Sequence, residues 1–165
     1  MVATGLVMTL DGVTLRNSDG SMGDTAPFSD GPGLLALLSH LFGTTPIPAP
    51  GTTDYDWGGL DLKLFDDTTA GLVVTASEVA SITVQTSEGI EVGSTQGQVK
   101  AAASSGTEFA TPGTSLAYYG LQARPHPGTE SLAHPGQVGS DYINVDLANN
   151  VVDSLYAPGG DWQDL

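Results

Sequence analysis

His126, His134 and Asp141 are the residues of this sequence whose types best suit metal binding. Imidazole nitrogens and carboxylate oxygens are ligands for zinc and other transition metals. The spacing of the three residues matches no compact metal-binding motif, and prolines flank His126 on both sides, which is typical of a stiff surface loop. The sequence therefore predicts no resident cofactor, and these three residues are the candidate ligands if a metal binds.

Acidic residues are concentrated at positions 54–56, 66–67 and 161–164, where their carboxylates could coordinate calcium. Calcium prefers about six to eight oxygen ligands, and carboxylates in turns supply them. No stretch has the ligand spacing of a calcium-binding loop, and residues 17–20 contain only a fragment of it. A calcium-stabilised structural or adhesive cell-surface module is therefore one alternative function.

Hydrolytic chemistry is a second alternative, because the chain contains serine, histidine and many carboxylates. The sequence has no G-x-S-x-G turn, which presents the nucleophile in one large class of serine hydrolases. Paired carboxylates for glycoside cleavage must face each other across a cleft, and the sequence alone does not place them. Gly31-Pro32-Gly33 lacks the rest of either nucleotide-binding motif. We expect a protein that is not an enzyme, with a hydrolase of unknown type as the alternative.

Four aromatic residues, Tyr55, Trp57, Tyr118 and Tyr119, are candidates for contact with a partner protein. Tyrosine and tryptophan are enriched among interface anchors, because they bury a large area with little loss of conformational entropy. The alternative is core packing, which we favour for Trp57. Tyr118 and Tyr119 are adjacent, so in a strand they point to opposite faces and one of them is exposed.

The composition excludes several classes of function. The 165 residues include 4 Lys and Arg against 19 Asp and Glu, for a net charge of −15. Nucleic-acid binding is excluded because phosphates are neutralised by Lys and Arg, and docking on anionic lipid is disfavoured for the same reason. The absence of cysteine excludes disulfides and thiolate sites. No apolar run reaches the about 18 residues that span a bilayer. The charge suits solubility or a partner with a basic patch.

Hydrophobic periodicity and turn signals predict a similar order of elements in both halves of one domain, residues 1–165. In the first half, residues 5–16 form a hairpin, a helix begins near Ser29 or Asp30 and ends at Gly43, and residues 60–75 form a second hairpin. In the second half, residues 82–86 form a strand, and Thr95 with Gln98 is a capping box that begins a helix, which we expect to end at Gly106. A long loop at 120–140 and a hairpin at 142–156 complete it, and 157–165 is an acidic tail.

These halves, about 13–76 and 82–156, are interpreted as two strand–helix–hairpin repeats. Each helix has one apolar stripe and needs a sheet to cover it. Two such units joined edge to edge give an α+β fold, with an antiparallel sheet of six to eight strands and two helices on one face. The opposite face of the sheet is then open to a partner.

The segment 88–100 contains Gly89-Ile90, Val92-Gly93, Thr95 and Val99 at the spacing G-I-x-V-G-x-T-x-x-x-V. It resembles the start of the helix in tandem-repeat secreted proteins of the beta-lactamase inhibitory protein type. The same helix-plus-hairpin unit occurs in the small lipoprotein of the outer-membrane barrel assembly machine. This resemblance implies protein binding without catalysis. Residues 127–139, together with 156–165, look like exported proteins of high-GC Gram-positive bacteria, which implies a location.

The sequence therefore predicts an extracytoplasmic protein–protein binding module, inhibitor-like in its action, that is secreted or held at the cell surface. The first residues lack the basic region of a signal peptide. We expect either that the targeting segment is absent from this chain, having been removed before Met1, or that the protein is cytoplasmic.

Overall fold

The computed structural model describes residues 2–66, 68–110 and 116–164; Met1, Asp67 and Leu165, which belong to the predicted features above, lie outside them. Within this part of the chain, two helices and fourteen strands form an α+β fold. The larger sheet has seven strands, all antiparallel, and confirms the predicted sheet of six to eight strands. In spatial order they are β4 (Asp54–Asp56), β5 (Leu60–Phe65), β6 (Thr69–Val74), β13 (Val151–Gly160), β12 (Ser140–Ala148), β10 (Leu116–Pro125) and β9 (Glu108–Ala110).

A second sheet of five strands shares its core with the first. Its spatial order is β3 (Met22–Pro27), β2 (Gly12–Asn17), β1 (Ala3–Met8), β8 (Ile82–Thr86) and β7 (Glu78–Val79). Its strands pair antiparallel except for β1 with β8, which run parallel. Two further strands, β11 (Thr129–Ser131) and β14 (Trp162–Asp164), form a separate ribbon.

The first helix, α1 (Gly31–Phe42), begins after Asp30, one of the two predicted caps, and ends at Gly43 as predicted. The Asp30 side chain accepts a hydrogen bond of 3.0 Å from the Gly33 N–H, so it caps free donors of the first turn. Gly43 ends the helix at φ 69°, a left-handed conformation that glycine adopts without strain. Leu34 and Leu38 of its apolar stripe are fully buried.

The second helix, α2 (Gln96–Ala102), has the predicted capping box. The Gln98 side-chain oxygen accepts from the Thr95 N–H at 2.8 Å, and the Thr95 hydroxyl oxygen accepts from the Gln98 N–H. The helix ends at Ala103 rather than at Gly106, because Ala103 adopts an extended conformation.

Both helices contact the core side of the seven-stranded sheet. In α1, a Cβ added at Gly31 would lie 3.0 Å from the Leu64 side chain, and Leu64 belongs to the inward-facing residues of β5. In α2, Gln96 donates a hydrogen bond of 3.0 Å to the hydroxyl of the buried Tyr119. The prediction of two helices on one face of the sheet is therefore confirmed.

One hydrophobic cluster unites the two sheets with both helices. It includes Leu6 and Met8 of the five-stranded sheet and Leu62 and Val145 of the seven-stranded sheet, all fully buried. The prediction that residues 120–140 form a long loop is wrong in part. The strand β10 continues to Pro125 through a bulge at Gln122, whose φ is 55°.

The C-terminal residues form paired strands, which corrects the prediction of a tail at 157–165. The strand β13 continues to Gly160, and β14 pairs with β11. Burial explains the error, because Ala157 is fully buried and Pro158 and Trp162 are half-buried.

The cross-strand register relates the two predicted repeats. Tyr55 pairs with Leu62, which pairs with Leu72 across β4, β5 and β6. Tyr119, Val145 and Leu155 make the corresponding pairs across β10, β12 and β13. The two groups meet where β6 pairs with β13. The register is consistent with a duplication, and the duplication itself stays a prediction.

Candidate functional site

The candidate site is the side of the seven-stranded sheet that faces away from the helices and the core, which we call the open face. Along β12 the side chains alternate: Ile143, Val145 and Leu147 are buried in the core, whereas Asn144 and Asp146 point to the open face and are half-buried. Cross-strand pairing extends this face in two rows. One contains Asp56, Asp61, Val73, Tyr156 and Asn144, and the other contains Ser154, Asp146, Tyr118 and Phe109.

Three carboxylates meet at the β4–β5 end of the open face. Asp56 and Asp61 form a cross-strand pair, and Asp54 is the partner of Lys63. Partial burial, with the negative charges of Asp56 and Asp54, raises the pKa of Asp61 above its ordinary value of 3.8. Lys63 lies 3.9 Å from Asp54 and is exposed. This end of the face presents negative charge to a partner.

Aromatic rings define the other end of the open face. Phe109 stacks on Tyr118 with ring centroids 4.6 Å apart, and its centroid also lies 6.0 Å from that of the His134 ring. A cavity of about 390 Å³ opens beside these rings, and we call it the aromatic groove. It is lined by Phe109, Tyr118, Leu132, Ala133, Tyr142, Asn144, Asp146, Gly160 and Asp161.

A neighbouring cavity of about 580 Å³ shares Phe109, Tyr142 and Asp161 with the aromatic groove. The carboxylate of Asp161 is held between them, because it accepts hydrogen bonds from the Ser131 hydroxyl at 2.6 Å and from the Ser140 N–H at 2.9 Å. Arg124 lines the neighbouring cavity and not the aromatic groove. The two cavities therefore differ in charge.

The four predicted partner-binding aromatics divide between the open face and the core. Tyr118 is 38% exposed and belongs to the open face. Tyr119 is 1% exposed and hydrogen-bonded to Glu108 at 3.0 Å, so it is a core residue and no longer a candidate for partner contact. The expectation that one of these adjacent tyrosines is exposed is confirmed. Tyr55 and Trp57 are half-buried against the core.

Trp57 has the environment of a packing residue. Its ring lies 5.7 Å from that of Phe42, and its indole N–H donates a hydrogen bond of 2.9 Å to the Thr44 carbonyl. The indole therefore connects β4 to the end of α1. This contact agrees with the core packing that we favoured for Trp57.

The three predicted metal candidates are not brought together as a ligand set. His126 Nδ1 lies 2.9 Å from Asp141 Oδ1, and the same carboxylate oxygen accepts from the Trp162 indole at 2.8 Å. The imidazole of His126 and the indole of Trp162 are 4.2 Å apart. His134 lies instead against Phe109. In the part of the chain that the structure describes, no three His, Asp or Glu side chains form a metal-sized group.

The same region contains serine, histidine and aspartate, but in contacts other than those of a nucleophilic relay. The Ser131 hydroxyl donates to Asp161, and it accepts from the backbone N–H of His134 at 2.9 Å. The imidazole of His134 thus does not mediate between Ser131 and Asp161. Among residues 2–66, 68–110 and 116–164, we find no serine–histidine–aspartate relay.

Phe109, Tyr142, Asp146 and Tyr156 also belong to the site, although no motif in the sequence marks them. The alternation at 142–147 predicts a strand, and it already assigns Tyr142, Asn144 and Asp146 to one face. What the sequence lacks is a sign that helices cover the other face. That information lies in contacts between distant parts of the chain.

Comparison with known proteins finds no match: no protein-family model, no curated protein and no solved structure matches the chain. Neither helix among the described residues has the length and apolar character that a membrane span requires.

Proposed function

We propose that this chain is a protein-binding module that acts outside the cytoplasm and holds a partner with a basic patch on its open face. One observation carries the proposal: both helices and the second sheet lie on the core side, so the open face keeps its carboxylates and the rings of Phe109, Tyr118 and Tyr156 half-buried or exposed. Interface cores favour such rings, and the carboxylates complement a basic surface. The action is inhibitor-like, because the module works by occupying its partner.

Charge supports the kind of partner. The whole chain has a net charge of −15, and Lys63, an exposed cation on the open face, lies 3.9 Å from Asp54. A basic partner is attracted by this field, whereas an acidic partner is repelled. The location outside the cytoplasm rests on composition and on the resemblance of the 88–100 and 127–139 segments to exported proteins.

Affinity capture tests the proposal with two matched variants. The tagged full chain is incubated with envelope and culture-medium extracts of the source organism, with and without a calcium chelator. Tyr118→Ser removes an aromatic ring from the open face, and Ile47→Ser removes an apolar side chain that is 94% exposed in the segment between α1 and β4. We expect one stoichiometric partner that wild type and Ile47→Ser retain and Tyr118→Ser loses.

Other outcomes decide between the alternatives. Equal capture by both variants would contradict a role for the open face. Capture that requires calcium would favour the calcium-stabilised module. No partner under either condition would count against protein binding and would favour a hydrolase or self-association.

A further inference from the structure

We propose that the aromatic groove binds the guanidinium or ammonium group of an arginine or lysine side chain that the partner protein inserts into it. The inference rests on the proposed function, because the occupant belongs to the bound partner. It adds to the proposed function by assigning one cationic side chain of the partner to the aromatic groove.

Tyr142 is the first observation that carries this assignment. Its side chain is 4% exposed and lines the aromatic groove. Its hydroxyl makes no hydrogen bond with the residues that the structure describes, and its oxygen is not one of their buried side-chain atoms without a partner. The hydroxyl therefore stays accessible and is free to accept a hydrogen bond from a ligand.

The charge of the groove is the second observation. Asp146 and Asp161 contribute two carboxylates, and the described lining contains no Lys, Arg or His. Both carboxylates are held in place, since Asp146 accepts from the Asn144 amide at 2.8 Å and from the Ser154 hydroxyl at 3.1 Å. The negative charges of Asp161 and Asp146 contribute, after burial, to the raised pKa of Tyr142. The phenol thus lies in the negative field that a cation would neutralise.

The rings are the third observation. Phe109 and Tyr118 stack beside the groove at a centroid distance of 4.6 Å. Aromatic faces attract cations, and guanidinium groups stack on them readily. Rings, carboxylates and a hydroxyl acceptor together fit a cation that carries N–H donors and an aliphatic stem. Apolar contact for that stem is available from Leu132, which is 60% exposed.

The neighbouring cavity is less suited to this ligand. Arg124 lines it and makes an ion pair of 2.6 Å with Asp11. A second guanidinium there would be repelled by the resident one. The assignment therefore belongs to the aromatic groove alone.

The test compares capped arginine with capped citrulline, which has the same shape without the charge. Binding to the full chain is followed by NMR of protein labelled at the tyrosine ring carbons, with millimolar additions because one side chain binds weakly. We expect saturable shifts of the Tyr142 signal with arginine and affinity at least about tenfold weaker for citrulline. Salt should weaken the arginine complex.

Three variants assign the contacts. Asp146→Asn should weaken arginine binding about tenfold, because it removes one of two carboxylates. Tyr142→Phe should weaken it about threefold, because it removes a neutral acceptor. Asp24→Asn makes the same change of charge on the exposed strand β3 of the other sheet, and it should change the affinity less than about twofold.

Several results would overturn the inference: equal binding of citrulline, equal effects of Asp146→Asn and Asp24→Asn, or no movement of the Tyr142 signal. These failures are distinguishable from failure of the proposed function. If a captured partner protects the open face but capped arginine does not bind, only the assignment of the groove is contradicted. If arginine binds at Tyr142 but no partner is captured, the proposed function is contradicted and the groove is a cation site without that role.

Discussion

Gly120 lies directly beneath the ring of Tyr142: a Cβ atom added at Gly120 would be 2.8 Å from Tyr142 Cγ and 2.8 Å from Thr107 Cβ. Real carbon atoms do not approach so closely, so one of the three residues must shift. We expect Gly120→Ala to destabilise the fold by about 1–3 kcal/mol, the usual cost of overpacking. Thermal unfolding measures the loss, and the Tyr142 ring signals should move with it.

The control for this substitution is Gly97→Ala in α2. A Cβ at Gly97 would meet only the Thr95 hydroxyl, at 3.9 Å. Alanine is favoured over glycine within a helix by up to about 1 kcal/mol, so this variant should be as stable as wild type or more stable. A Gly120→Ala protein that melts with wild type would contradict the close approach of Tyr142.

Gln122 joins the two sheets by its side chain. Its amide oxygen accepts a hydrogen bond of 2.8 Å from the Leu10 N–H, and its amide nitrogen donates to the Ser87 hydroxyl at 2.8 Å. Gln122→Ala leaves the part-buried Leu10 N–H without this partner, and we expect a loss of about 1–3 kcal/mol in denaturant unfolding. Gln137→Ala, at an exposed position, should change stability by less than about 0.5 kcal/mol. Equal effects would rule out the bridging role.

Asp61 makes stability depend on acidity. Burial, with the charges of Asp56 and Asp54, raises its pKa in the folded protein above the ordinary value of 3.8. The folded state therefore holds the proton more tightly, and this contribution to stability is fully present below about pH 4 and is lost as pH rises through the folded pKa. Asp61→Asn should raise Tm more at pH 7 than at pH 4. A Tm difference independent of pH would contradict the raised pKa.

Tyr142 makes the stability of the fold fall with rising pH, as Asp61 does, but in the alkaline range. Burial, with the nearby negative charges, raises its pKa from 10.0 to about 12. Between these values the unfolded chain loses the proton while the folded protein keeps it, so stability falls as pH rises through this range. Tyr142→Phe should reduce that fall in Tm between about pH 10 and 12. Tyr55→Phe, which keeps Tyr142, should retain it, and a fall shared by both variants would assign it elsewhere.

The sequence predicts those parts of the fold that are formed by residues close together in the chain. The β1–β2 hairpin, the Asp30 cap of α1 and the capping box of Thr95 are all formed by residues close in the chain, and the structure has each of them. The strand β3 was missed because five of its six residues are exposed, so it has no apolar alternation.

Long-range pairing explains the other errors. The parallel pair of β1 with β8 creates the second sheet, and β14 pairs with β11 across a wide separation in sequence. The residues of these strands do not indicate which strand each one pairs with. The same limit applies to the candidate site. Residue type identifies aromatic candidates for partner contact, but it does not show that Tyr119 points to the side of the sheet on which the helices and the second sheet lie.

The central claim is that a partner occupies the open face, and side-chain footprinting of the captured complex tests it most directly. Hydroxyl radicals modify accessible aromatic and sulfur-containing side chains, so the reactivity of each side chain reports its solvent accessibility. We predict that Tyr118 and Phe109 lose reactivity in the complex, whereas Met22, which is 55% exposed on the other sheet, keeps it. Protection of Met22 with Tyr118 and Phe109 unchanged would contradict the account.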